Sequence, residues 1–156
     1  MPSINQKLKV NMTNKKVTKS GNSVKQIDGR PWVYSKTVEN HFFKPRNVMT
    51  DNTDENKYDA VGEVGSPACG DLMKVWIKVE NNIITDFKWK TFGCASAIAS
   101  TSILSEMAQG KSLSEANKIT AQDIVEKLGG LPRRKIHCSV LGDQALRKAI
   151  ENYRQK

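Results

Sequence analysis

The sequence predicts an α+β fold on three observations. Two runs of alternating hydrophobicity flank a short polar turn, a shorter apolar stretch precedes them, and a series of capped helical patterns follows. Strands first and helices afterwards is the order of an α+β domain.

Tyr34 to Phe43 reads as a short amphipathic helix with Val38 and Phe42 on one face, ended by Pro45. Residues 50–59 are polar and acidic, hence a loop, and Ala60 to Val64 is a short strand. From Leu72 to Val79, Met73, Val75, Ile77 and Val79 point one way and Lys74, Trp76 and Lys78 the other. Glu80-Asn81-Asn82 is a turn, and Ile83 to Phe92 alternates again with Ile83, Phe87 and Trp89 sharing a face, which makes an antiparallel hairpin. Ser96 to Gln109 is a helix carrying Ile98, Ile103, Leu104 and Met107 and stopping at Gly110. Ser112 caps a short helix to Asn117, with Glu115 completing a capping box. Thr120 caps another to Leu128, with Asp123 three residues on and Gly129-Gly130 at its end. Leu131 to Lys135 is extended by Pro132, and Ile136 to Tyr153 is the final helix, with Val140, Leu141, Ala145, Ala149 and Ile150 available to pack.

A chain of 156 residues has room for one domain, or one domain and a tail. The 25 Lys+Arg exceed the 16 Asp+Glu by nine. Residues 1–30 hold seven basic groups and one acid (7 − 1 = +6), so residues 31–156 carry only 18 − 15 = +3. The first 30 residues are rich in Asn, Ser and Thr and lack aromatics. Too few apolar groups are present to offset the entropy of ordering, so this segment is expected to be a disordered basic extension and residues 31–156 the domain. Its basic, acid-poor character also suits a presequence for a mitochondrial-type organelle, although lysine rather than arginine dominates. No aromatic residue interleaves the lysines to stack on bases, so no nucleic-acid partner is expected. The longest charge-free stretch, Thr91 to Ser105, is too short and too rich in Ser and Thr to span a bilayer, so no membrane association is expected. Three cysteines, an odd number, do not form a disulfide scaffold and point to a reducing compartment, the cytoplasm, where thiols serve chemistry.

All three cysteines fall at element junctions, where reactive groups sit on loops held by rigid neighbours. Cys69 lies before the hairpin, Cys94 between the hairpin and the long helix, and Cys138 near the start of the last helix. Gly70 and Gly93 allow close approach of backbone, and the helix after Cys94 favours a thiolate at its positive end. Asp71 adds an oxygen donor and His137 a nitrogen. Together with the three thiols they offer a tetrahedral iron-sulfur or zinc site. Taken singly, each cysteine reads more readily as structural than as functional, Asp71 reads also as a turn residue and His137 as a capped surface histidine. There is no Cys-x-x-Cys, and His41 is assigned no role.

At these residues the sequence resembles the IscU/NifU-type iron-sulfur cluster scaffold family, from about Tyr34 to Tyr153. YSKTVENHFFKPRNV (34–48) resembles the family's first segment, and CGDLMK, TFGCASAIAS and KIHCSVLG resemble its three cysteine blocks in order. The Asp71-Leu72 pair, the Gly129-Gly130-Leu131 run and the terminal NYR resemble the NifU-type amino-terminal domain. The resemblance implies a three-stranded antiparallel sheet packed by helices, with the thiols at one end. It implies a scaffold rather than an enzyme. Such a scaffold takes sulfur from a cysteine desulfurase, takes iron from an iron donor, assembles a transient 2Fe-2S cluster and passes it to apo iron-sulfur proteins or carriers. By resemblance Cys69, Cys94 and Cys138 are ligands and sulfur acceptors, with Cys138 the preferred acceptor. Asp71 keeps the cluster labile, His137 is a further ligand candidate, and Lys135 approaches the site. Zinc can occupy such a site in the purified protein.

Two departures stand out. Where many members carry Leu-Pro-Pro-Val-Lys, bound by a heat-shock chaperone pair, this chain has Leu131-Pro132-Arg133-Arg134-Lys135, and two arginines penalise an apolar peptide groove. Ala95 replaces the common Gly after the second cysteine. The zinc-dependent SufU branch fits less well, because this chain keeps His137 and has no insertion between the second and third cysteine blocks. Two rival readings are a zinc-binding sulfur relay or structural zinc protein, and a Cys138–His137 thiol enzyme. Adjacent helical side chains about 100° apart serve the latter poorly.

Overall fold

The computed structural model describes residues 23–25, 31–50, 55–66 and 70–156, apart from the side chains of 23–25, 31–33, 66, 134 and 137–140. The expected basic extension therefore lies outside the described residues, except for β1 (Ser23–Lys25), which pairs antiparallel with β2 (Pro31–Val33).

Helix α1 (Lys36–Phe43) starts two residues later than the sequence suggests, because Ser35 is its N-cap and accepts the Val38 N–H at 3.0 Å. The same hydroxyl donates to the Leu128 carbonyl and ties α1 to the distant end of α4 (Ala121–Lys127). Three strands follow: β3 (Ala60–Ser66), β4 (Asp71–Glu80) and β5 (Ile83–Phe92), antiparallel in the order β3-β4-β5. Asn81 and Asn82 both have positive φ (51° and 67°), the signature of a two-residue hairpin turn whose twist matches the strands.

On β4 the alternation holds, with Met73, Val75, Ile77 and Val79 buried under the helices. Trp76, expected on the open face, is buried too, with Lys74 Nζ 5.0 Å from its ring centre. On β5 the register slips: Lys78 faces Asp86 but Val79 faces Ile84. Thr85 is the extra residue of a β-bulge, which reverses the phase of the strand. Ile84, rather than the expected Ile83, therefore joins Phe87 and Trp89 in the core.

Helix α2 (Ala95–Ala108) is buried on nearly every side, with α1, α5 and β5 packed around it. Helix α3 (Leu113–Ala116) and α4 both carry the expected capping boxes, Ser112 with Glu115 and Thr120 with Asp123. Residues 131–135 are only partly extended: Arg133–Lys135 form a 3₁₀ turn that leads into α5 (His137–Arg154). Proline at the residue before that turn supplies its fixed φ without giving up a helical N–H.

Helix α5 runs antiparallel to β3. Ala145 and Ala149 pack on Gly62, Asn152 Nδ2 donates to the Val61 carbonyl at 2.7 Å, and Lys156 Nζ donates to the Asp59 carbonyl. The expected α+β architecture is the observed one: one three-stranded sheet with helices on one face.

Candidate metal centre

One end of the sheet gathers the chemistry-bearing positions. The register pairs Ser66 with Asp71 and Leu72 with Phe92, so the β3–β4 connection and the β5–α2 junction meet at this end. Asp71 is the first residue of β4, directly after Gly70, whose φ of +72° turns the chain into the strand. Its side chain is buried, only 8% exposed. Two residues beyond β5, Cys94 is the N-cap residue of α2, half-buried. Its backbone carbonyl accepts the Ile98 N–H at 3.1 Å, while its thiol takes no part in capping.

Gly93 stands between them. A Cβ there would lie 2.7 Å from Asp71 Oδ1 and 3.2 Å from the Ala97 Cβ, so the carboxylate rests against the bare Cα of the residue preceding Cys94. The Asp71 carboxylate is thus seated one residue before Cys94, and an oxygen donor and a thiol are residue types that suit iron or zinc.

The last helix begins at the same end. From Ala145, packed on Gly62, eight residues back to His137 is about 12 Å of helix at ~1.5 Å per residue. From Gly62, four residues on to Ser66 is about 13 Å of strand at ~3.3 Å per residue. The first turn of α5 is therefore level with the Asp71 end of the sheet. Cys69 lies outside the described residues, between Ser66 and Gly70, as do the side chains of His137, Cys138 and Arg134. Among the described residues no group of three His, Cys, Asp or Glu side chains is close enough to hold a metal ion, and of the expected ligands only Asp71 and Cys94 have described side chains.

The segment of residues 131–135 leads into this end. Leu131 packs against the core, Arg133 is exposed and Lys135 half-buried, and Ile136 beyond them is 38% exposed.

His41, given no role by the sequence, is buried and central to a polar network. Its Nδ1 lies 2.7 Å from Ser102 Oγ, and its Nε2 lies 3.4 Å from Glu106 Oε1. The Arg46 N–H donates to Ser102 Oγ at 3.0 Å, and the Arg46 guanidinium meets Glu106 at 3.7 Å. With the Glu106 carboxylate beside it, Nε2 carries the ring N–H, which leaves Nδ1 to accept from the Ser102 hydroxyl. Burial, then the Arg46 charge, lowers the His41 pKa, and Glu106 opposes the shift only in part. Ser102 is fully buried, so this Ser-His-Glu arrangement has no access to a substrate and is a brace between α1 and α2. The sequence signal for it is the spacing of Val38 and His41 on one helical face.

Residues 33–156 match the NifU-like N terminal domain family. Over 124 residues the chain is 52% identical to an iron-sulfur cluster assembly scaffold protein IscU of Archaeoglobus fulgidus, covering 80% of this chain and 78% of that protein. It is 51% identical over 125 residues to the scaffold protein IscU of Escherichia coli, covering 79% of this chain and 95% of that one. It is 50% identical over 127 residues to the nitrogen fixation protein NifU of Trichormus azollae, covering 79% of this chain and 42% of that longer protein. The fold matches the crystal structure of a NifU-like amino-terminal domain from Brucella abortus with a TM-score of 0.60 at 19% identity, over 78% of this chain and 94% of that one. The chain belongs to the NifU-like N terminal domain family.

Proposed function

We propose that this protein is a scaffold on which an iron-sulfur cluster of the 2Fe-2S type is assembled and then handed to apo-proteins or carriers. The observation that carries the reading is the Asp71 carboxylate, buried against Gly93 one residue before Cys94, at the sheet end where the connection bearing Cys69 and the helix bearing Cys138 begin. About half-identity to proteins named as cluster scaffolds supports it. The zinc-only alternative draws no support from those relatives.

Iron and sulfur are the cargo. The Cys138 thiolate attacks the outer sulfur of a persulfide on a cysteine desulfurase. A new S–S bond forms on this chain, the donor's S–S bond breaks, and the donor leaves as a thiolate. Reduction of that sulfur by two electrons from an external reductant gives sulfide. Cys69, Cys94 and Cys138 supply thiolates to the iron, Asp71 supplies an oxygen, and His137 is the alternative donor. A carboxylate matches iron of a sulfide cluster less well than a thiolate does, which leaves the cluster free to depart. In this role the chain is a carrier rather than an enzyme, working in the reducing cytoplasm. Arg133, Arg134 and Lys135 restrict any assisting chaperone to one with acidic groups beside its peptide groove.

The test is anaerobic reconstitution with ferrous iron, cysteine, a reductant and an active desulfurase. Expected are visible cluster bands with equal iron and acid-labile sulfide, abolished when Cys69, Cys94 or Cys138 is replaced by serine. Retained zinc without sulfide or bands would overturn the reading.

A further inference from the structure

We propose that Gly93 is a positioning residue for the Asp71 carboxylate: its missing side chain is the space in which Asp71 Oδ1 lies. This rests on the scaffold reading for its consequence but on geometry for its substance. Asp71 is almost fully buried, and the atom nearest to a Cβ on Gly93 would be its Oδ1, at 2.7 Å, closer than real Cβ contacts come. The next neighbours, the Ala97 Cβ and the Asp71 Cγ, both at 3.2 Å, need only a few tenths of an ångström of give. Gly93 does not have the left-handed backbone that sets apart Gly70, Gly110, Gly129 and Gly130, so its backbone tolerates a side chain. The requirement for glycine is therefore one of space, and the atom occupying that space is the tip of a short, rotatable side chain. Adding a methyl group turns the carboxylate out of this position.

The consequence is that Gly93→Ala reproduces Asp71→Ala without touching any ligand. The two substitutions act through one atom, so their effects do not add. The experiment is a double-mutant cycle of wild type, Gly93→Ala, Asp71→Ala and the double variant. It is read first with cobalt(II) bound to the apo-protein and then by cluster lifetime after reconstitution. Expected is a change in the cobalt d–d bands on Gly93→Ala in the Asp71 background and no further change in the Asp71→Ala background. Cluster lifetime lengthens severalfold in both single variants and no further in the double one. Equal, additive effects of Gly93→Ala in both backgrounds, or no effect in either, would overturn the assignment.

If Gly93→Ala alone fails to fold, recovery of folding in the double variant supports the contact. Failure of both shows that Ala97 or the backbone sets the requirement, and the proposal falls. Should wild type form no cluster while the cobalt cycle behaves as expected, the positioning role stands and the scaffold reading fails.

Discussion

At the scale of single residues, Asp71 and His41 invert what their chemistry suggests. A buried carboxylate among thiol-bearing segments looks like one more ligand, yet on the scaffold reading proposed above its value is to hold iron less firmly than sulfur does. Asp71→Ala is accordingly expected to give a longer-lived cluster that transfers more slowly to an apo-acceptor. Timing the loss of visible absorbance with and without that acceptor checks it, and faster loss would remove Asp71 from this role. His41 looks like a metal ligand or a base but is a brace, and its titration bears on stability. Its folded pKa lies below the ordinary value of about 6.5, because burial and Arg46 outweigh Glu106. A depressed pKa means that the unfolded chain binds the proton more readily. The stability His41 contributes is thus complete above about pH 6.5 and is lost as pH falls through the folded value. Thermal melts between about pH 7.5 and 5.5 should fall more steeply in wild type than in His41→Gln. Parallel curves would show that other groups carry the acid sensitivity.

At the scale of elements, the seating of α5 on β3 sets where the first turn of α5 lies along the sheet. Gly62 lets Ala145 and Ala149 lie directly on the strand, and a Cβ there would run into the Ala145 carbonyl and the Ala149 amide. These are backbone atoms that cannot rotate aside, unlike the carboxylate at Gly93. Gly62→Ala should therefore cost about 3 kcal/mol, the upper part of the range for overpacking, read as a lower midpoint in urea unfolding. The other side of α5 is held by Arg147, which donates to the Ile119 carbonyl at 2.7 Å and to the Asn117 carbonyl at 3.3 Å, and pairs with Asp143 at 2.7 Å. Asp143 is buried and its Oδ1 has no hydrogen-bond partner. Burial raises its pKa despite Arg147. Arg147→Met strands that carboxylate and should cost about 2–3 kcal/mol, less than the ~3–5 typical of a fully buried pair because Arg147 is partly exposed. Asp143→Asn keeps the shape and removes the charge, so at neutral pH it should be much milder. Equal losses from the two variants, measured by urea unfolding at pH 7, would mean that the pair stabilises the fold rather than merely compensating a buried charge.

At the scale of the whole molecule, the parts that sequence made legible are those with a local physical signature. The β4–β5 hairpin was readable because side chains alternate with period two, and the capping boxes of α3 and α4 because a hydroxyl and an acid three residues apart satisfy the same amides. The switch from Ile83 to Ile84 was not, since either isoleucine satisfies the pattern and only the bulge at Thr85 chooses. The sequence puts all three cysteines at element junctions, but their intervals of 24 and 43 residues carry no distance. Topology brings their elements together: the β3–β4 turn, the end of β5 and the start of α5 share one end of the sheet. The same view separates charge from fold. Every member of the hydrophobic core among the described residues lies between Tyr34 and Tyr153, whereas residues 1–22 contain five lysines and no acid. Deleting them lowers the formal charge from +9 to 9 − 5 = +4. Net charge governs nonspecific association with acidic matrices more than it governs packing. The truncated protein should therefore leave a cation exchanger at markedly lower salt, yet melt within about 2 °C of the full chain, since a shift of that size is under ~0.5 kcal/mol for a domain of this length. A larger drop in melting temperature would mean that the basic segment packs on the domain, and would move the domain's boundary towards the first residue.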